Sequence, residues 1–233
     1  MPAPQEEPAL PHRGPRAAGR RPRAARRLSL RRGADVSTGA LLALQVLTNL
    51  AIVPASAGVP RGWTLQRVRD VEAPQFQVTG GHALRVEARR AAGGASYRLR
   101  APLHPPTGHA GTLKWRWRTD TPIRGASLRV RARDDTPVRV VVTFDDGRSI
   151  AYSWGNSEGR GESLLSGARA VVVLERADDA DGSWHVERRD PFADYRRLFS
   201  RAPHPIVAVG VSADTDRLGG RAVAEAGDFE WEP

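Results

Sequence analysis

Between Leu113 and Trp154 the chain alternates apolar and charged residues with a period of two, and this pattern limits the possible fold more than any other feature. In Leu113-Lys-Trp-Arg-Trp-Arg118, an extended strand puts Leu113, Trp115 and Trp117 on one face and Lys114, Arg116 and Arg118 on the other. Leu128-Arg-Val-Arg-Ala-Arg133 repeats the alternation and Val138-Arg-Val-Val-Val-Thr-Phe144 follows. After the turn Asp145-Asp146-Gly147 comes Ile150-Ala-Tyr-Ser-Trp154. Four successive strands are expected here, separated by Pro, Gly and Asp.

The same signal continues on both sides. Leu84, Val86 and Ala88 alternate with Arg85, Glu87 and Arg89, and Tyr97 and Leu99 with Arg98 and Arg100. Ala170-Val-Val-Val-Leu174 is apolar on both faces, as suits a central, doubly covered strand. Trp184-His-Val-Glu-Arg188, Ile206-Val-Ala-Val-Gly-Val211 and Asp228-Phe-Glu-Trp231 complete a set of short strands divided by turn residues. This predicts an all-β fold, an antiparallel β-sandwich of jelly-roll type. One short helix is expected as well: Asp190 is an N-cap residue before Pro191, and Phe192, Tyr195 and Phe199 recur on one helical face until Pro203 and Pro205 bar continuation. It should cover one end of the sandwich.

The first 57 residues read differently. Met1 to Arg32 are rich in Pro, Ala, Gly and Arg and cannot bury a core. An apolar run follows from Thr38 to Val53, then Ala55-Ser56-Ala57, a small-x-small site. A basic region, a short apolar region and this ending are the parts of a secretory signal peptide. The run is broken by Gln45, Thr48 and Asn49 and is short for a membrane span, which needs about 20 residues. Arg26-Arg27-Leu28-Ser29-Leu30 fits either a twin-arginine export signal or an ordinary leader within an Arg-crowded tail. The organisation expected is therefore residues 1–57 as a disordered Arg-rich tail plus signal peptide, and residues 58–233 as a single sandwich domain in the periplasm or outside the cell. The absence of cysteine agrees with folding before export, where disulfides contribute nothing.

The formal net charge of +10 also divides unevenly. Residues 1–57 hold nine arginines against Glu6, Glu7 and Asp35, which leaves only +4 for the remainder. A nucleic-acid-binding domain keeps its basic excess in the folded part, so nucleic acid is not an expected partner.

Several separated motifs resemble a bacterial exported family known as a domain of unknown function, DUF3047. They are Leu113-x-Trp-x-Trp117, Asp134-Asp135-x-Pro-x-Arg-Val140 with Phe144, Tyr152-x-Trp154, Trp184-x-x-Glu-Arg188, Asp194-Tyr195-Arg196 with Leu198-Phe199, and Asp214-x-Asp216 ahead of Gly227-Asp228-Phe229. The resemblance spans roughly Trp63 to Trp231 and implies an exported β-sandwich; it supplies no activity, cofactor or catalytic residue.

Trp115 and Trp117 can be a sugar-stacking platform or core, and alternation with charge favours core. Trp154, with Tyr152 beside it, precedes Gly155-Asn156-Ser157 and is the better candidate for an accessible ring. Asp134, Asp135, Arg139, Arg188, Asp194, Asp214 and Asp216 fall near strand ends. They form either a buried Arg–Asp network that locks loops or a polar pocket for a hydroxyl-rich ligand, and the network is favoured because buried charges need partners.

Calcium is the one ion to weigh. Asp214-Thr-Asp216, Asp178-Asp179-x-Asp181 and Asp145-Asp146 offer oxygens but lack the spacing of a recognised calcium loop, so no metal or cofactor is expected. Nothing resembles a nucleophile elbow, a zinc motif or a phosphate loop. Glu187 with Asp190 or Asp194 could form a hydrolytic carboxylate pair. Three functions stay open: a non-catalytic module binding a glycan or envelope component, a carboxylate-dependent carbohydrate-active enzyme, and an envelope scaffold that binds protein through an exposed edge strand at 128–133.

Overall fold

The protein's structure, a computed structural model, describes residues 44–233; the Arg-rich tail and Arg26-Arg27 lie outside the described residues. In chain order the strands are β1 (Gln45–Val46), β2 (Ser56–Ala57), β3 (Trp63–Arg67), β4 (Gln75–Val78), β5 (Ala83–Arg89), β6 (Ala92–Leu103) and β7 (Thr112–Thr119). They continue as β8 (Thr136–Phe144), β9 (Ser149–Trp154), β10 (Ser163–Ser166), β11 (Arg169–Glu175) and β12 (His185–Arg189). Helix α1 (Pro191–Phe199) precedes β13 (Ile206–Asp214) and β14 (Arg221–Glu232).

The strands form two seven-stranded sheets packed as a jelly-roll-type sandwich. Sheet A runs β12-β7-β14-β5-β4-β2, with β1 also paired to β14; sheet B runs β10-β11-β9-β8-β13-β6-β3. Every pairing is antiparallel except β9 with β11, which run parallel. A parallel pair needs a long connection, and residues 155–168 provide it, with β10 folding back onto β11. Ala170–Leu174 lies in β11, an interior strand one place from the sheet edge.

Core packing follows the alternation. In β7 Leu113, Trp115, Trp117 and Thr119 are buried while Lys114, Arg116 and Arg118 are not. Trp115 meets Trp117 edge-on, with ring centroids 5.7 Å apart. Across the sandwich Trp115 lies 5.2 Å from Tyr152 and Trp117 lies 5.5 Å from Trp154. Four aromatic rings thus tie β7 to β9, and such pairs contribute about 0.5–1.5 kcal/mol each beyond their buried area.

One expected strand is absent. Residues 128–133 form turns and a short 3-10 segment at Arg131–Arg133 rather than a strand, with Val130 exposed. The period-two pattern has no apolar surface to lie on there. The buried carboxylate of Glu158 captures Ser127 Oγ at 2.9 Å and the Leu128 N–H at 2.7 Å, and the Ser127 N–H closes the loop onto the Arg133 carbonyl at 2.6 Å.

The helix forms as its ends dictate. Asp190 accepts hydrogen bonds from the N–H groups of Phe192 and Ala193, both at 2.9 Å, and Ser200 ends the helix in the left-handed region at φ 52°. Phe192 and Tyr195 are buried on its inner face.

Part of the apolar run before residue 58 is built into the sandwich. Gln45 and Val46 pair with Trp231 and Glu230, and Ser56 and Ala57 pair with Val78 and Gln77. Leu47 and Leu50 join the core, and Asn49 Oδ1 accepts the indole N–H of Trp63 at 2.9 Å. Among the described residues no helix is long and apolar enough to cross a membrane.

Candidate functional site

Trp154 is not the accessible ring the sequence suggests: it is fully buried. The chain does not leave the sheet at Gly155. Its N–H bonds to the Glu175 carbonyl at 2.8 Å, so the following loop turns back over the indole. The indole N–H donates to the Arg176 carbonyl at 2.7 Å, and the ring lies 5.0 Å from that of His185. Tyr152 is buried as well, its hydroxyl donating to Asp194 at 2.9 Å. Burial, and then the charge of Asp194, push the Tyr152 phenol well above its ordinary range.

Of the six tryptophans, five are buried and Trp184 alone is partly exposed. It stands just before the edge strand β12, on the outer face of sheet A. The guanidiniums of Arg116 and Arg118 lie 4.3 and 4.7 Å from its ring centroid. Both arginines are fixed from β14, Arg116 by Asp228 at 2.7 Å and Arg118 by Glu225 at 2.7 Å. Arg118 and Glu225 also line a shallow hollow of about 200 Å³ with Thr119, Asp120, Gly182, Val223 and Ala224.

The predicted polar residues separate into three places. Asp134, Asp135, Arg139, Asp214 and Asp216 meet where β8 begins and β13 ends. Arg139 donates to the Asp134 carbonyl at 2.9 Å and reaches Asp214 at 3.5 Å. Asp135 is buried and accepts the N–H groups of Arg217 and Leu218 at 3.1 and 2.9 Å, pinning the loop before β14. Burial pushes the Asp214 carboxyl up to about 6, against the pull of Arg139 and with a further push from Asp216. Carboxylate oxygens of Asp135, Asp214 and Asp216 lie within 4.8 Å of one another, so these are the side chains with the reach to share a cation. Their hydrogen bonds to loop amides and to Arg139 are those of a loop lock.

Asp194 belongs to a second place, on the buried side of α1, where it is bound by Arg189, Arg197 and Tyr152. Arg188 belongs to a third, on the outer face of sheet A, paired with Glu232. The other acidic turns are internally engaged: Asp146 with Arg148 and Tyr195, Asp179 with Arg160 and the Arg176 N–H, and Asp181 with Ser183.

A further group was only half visible in the sequence. The alternate residues His185, Glu187 and Arg189 of β12 turn inward, towards sheet B. Trp117 donates its indole N–H to Glu187 Oε1 at 3.1 Å, and His185 Nδ1 lies 2.9 Å from Glu175 Oε1. Arg160 holds the other oxygen of Glu175 at 3.1 Å. Burial, and then the charge of Glu175, push the Glu187 carboxyl up to about 7. Of the carboxylates considered from sequence, Glu187 is thus held by Trp117, Asp190 caps α1 and Asp194 is bound by Arg189.

The profile of a family described as a protein of unknown function, DUF3047, matches residues 61–230. The chain belongs to the DUF3047 family. The match takes in β3 to most of β14, and with them Trp184, Glu187 and the Asp135 loop lock. No curated protein matches this DUF3047 chain. Among solved structures it is similar to the xyloglucanase domain of NopAA, a type three effector from Sinorhizobium fredii in complex with cellobiose, at 8% identity and TM-score 0.45, over 82% of this chain and 98% of that one. An arabinose-bound MgGH51 α-L-arabinofuranosidase gives 11% identity and TM-score 0.42, over 84% of this chain but 27% of that one. The endo-1,4-β-glucanase CelB2 gives 11% identity and TM-score 0.38, over 80% and 94%.

Proposed function

We propose that this DUF3047 protein is an exported, non-catalytic module that binds a glycan or a similar component of the cell envelope, with Trp184 as its stacking platform. The observation that carries this reading is the position of that ring: it is the one partly exposed indole, on an edge of sheet A, beside a polar hollow. An indole face packs against the apolar face of a pyranose, and the Arg118, Asp120 and Glu225 side chains offer donors and acceptors to its hydroxyls. Binding is favoured over hydrolysis because the carboxylates considered for catalysis are engaged inside the fold, Glu187 by the Trp117 indole and Asp194 by Arg189 and Tyr152. The scaffold reading loses its structural support with the missing strand at 128–133.

A glycan array probed with the protein and with Trp184→Ala, scored for retention and for released product, tests the proposal. Retention that the substitution abolishes, without product, is the expected result. Product release, or retention indifferent to Trp184, would overturn it.

A further inference from the structure

Among the described residues, the hollow beside Trp184 holds a free donor and a free acceptor in one small space. Gly182, two residues before Trp184, donates its N–H to the Thr119 carbonyl at 3.0 Å, so the loop leading into β12 forms one wall. Arg118 and Asp120, two residues apart at the end of β7, line the same hollow. Arg118 bonds Glu225 through Nη2 alone, at 2.7 Å, and its other N–H groups carry no bond among the described residues. Asp120 is exposed, and among the described residues its carboxylate has neither an ion pair nor a hydrogen bond.

The polar groups around these two are already engaged. Each oxygen of Glu225 has a donor, Arg118 on Oε1 and the Thr79 hydroxyl on Oε2 at 3.2 Å. The Thr119 hydroxyl donates to the Val223 carbonyl at 2.8 Å. Arg116 is taken up by Asp228 and by the Gly81 carbonyl, both at 2.7 Å. A ligand entering the hollow therefore meets Arg118 as its donor and Asp120 as its acceptor.

Resting on the glycan reading of Trp184, we infer that this site takes an uncharged, hydroxyl-bearing sugar residue and that Asp120 sets the specificity. A hydroxyl both donates and accepts, so one sugar can donate to Asp120 and accept from Arg118. The two oxygens of Asp120 can also receive adjacent hydroxyls of a single ring. A uronate has no proton to donate and meets the unpaired charge of Asp120. Asp181, next to Gly182 in the chain, adds a second negative group at that wall. A protonated amine cannot accept from Arg118, and the two guanidiniums against the Trp184 ring repel it. Each sign of charge is opposed, and a neutral ring is not. With about 200 Å³ the hollow is smaller than the roughly 300–1,000 Å³ of a site for a drug-sized ligand, so it holds one sugar residue.

An array of uncharged, uronate-bearing and amine-bearing glycans, probed with the full chain at low and high salt, tests this. The unsubstituted protein should retain the uncharged glycans alone, and equally at both salt concentrations. Titrated against a retained glycan, Asp120→Asn should bind about tenfold more weakly, as expected for losing a hydrogen bond to a charged group. Asp120→Lys should admit uronate-bearing glycans, with a retention that high salt removes. Retention of uronate-bearing or amine-bearing glycans by the unsubstituted protein, or unchanged affinity in Asp120→Asn, would overturn the role of Asp120. If Trp184→Ala abolishes that retention, the stacking platform stands and only the charge selection fails. Retention of no glycan at all overturns both.

Discussion

The hydroxyl of Tyr152 donates to Asp194 Oδ2 at 2.9 Å, joining the middle of β9 to the first turn of α1. Arg189 reaches the same carboxylate from β12 at 2.8 Å and Arg197 from the helix at 3.0 Å. One carboxylate thus connects both sheets to the helix.

Replacing Asp194 by Ala should therefore be severe. It leaves a half-buried guanidinium and a fully buried phenol without an acceptor. The loss is expected at roughly 3 kcal/mol, towards the low end for a broken buried pair because Arg189 keeps some contact with water. Urea unfolding measures it directly; a midpoint unchanged from the parent would show that the junction contributes nothing.

The tryptophans should divide into two kinds. Trp117→Ala removes a fully buried ring and is expected to cost about 3–5 kcal/mol. Trp184→Ala should leave stability nearly unchanged while eliminating the readily quenched part of the fluorescence. Acrylamide quenching of the two variants distinguishes them, and an accessible component that survives in Trp184→Ala would contradict the assignment.

Removing residues before Gly58 should destabilise the domain. The cut takes Leu47 and Leu50 from the core and leaves the Trp63 indole N–H without Asn49. Loss of one well-buried Leu costs about 2–5 kcal/mol, so denaturant midpoints of chains starting at Leu44 and at Gly58 should differ clearly. The intact mass of the protein isolated from its own cells then shows which of the two forms the cell uses.

Acid stability should respond to Tyr195. Burial alone would raise the Asp146 carboxyl, but hydrogen bonds from the Tyr195 hydroxyl, the Arg148 N–H and the Arg148 guanidinium hold it below its ordinary value. A carboxyl lowered by folding adds stability above its unfolded value of 3.8, and that stability is lost as pH falls through the folded value. Tyr195→Phe removes one of these donors, so acid unfolding should begin at a higher pH. Circular dichroism from pH 6 to 2 would record the shift, and coincident curves would refute it.

The strands were legible wherever apolar residues alternated against a second sheet, as in β7, β8 and β9. They were not where alternation lacked such a surface: Leu128 to Arg133 has the pattern of a strand, but a carboxylate 30 residues away, Glu158, decides its path. The loop lock around Asp135 was visible as a set of residues at strand ends, although Asp194 and Arg188 proved to belong elsewhere. The inward-facing group of β12, His185, Glu187 and Arg189, was not readable, because neither face of that strand is apolar and local sequence cannot say which one turns inward. Trp154 misled for a related reason. A Gly-Asn-Ser sequence marks a turn without saying whether that turn folds away from the sheet or back over it.

β14 lies between β7 and β5, yet every other strand precedes it in sequence. Its ion pairs reach back 107 residues from Glu225 to Arg118 and 134 residues from Arg221 to Glu87. During synthesis, sheet A therefore stays as two separated pieces, each with a bare edge, and β1 stays unpaired, until this last strand emerges. Closure is then a slow, long-range step, and an unfinished chain is prone to associate through those edges. A chain clipped before residue 221 has lost the middle of a sheet, not a loose tail.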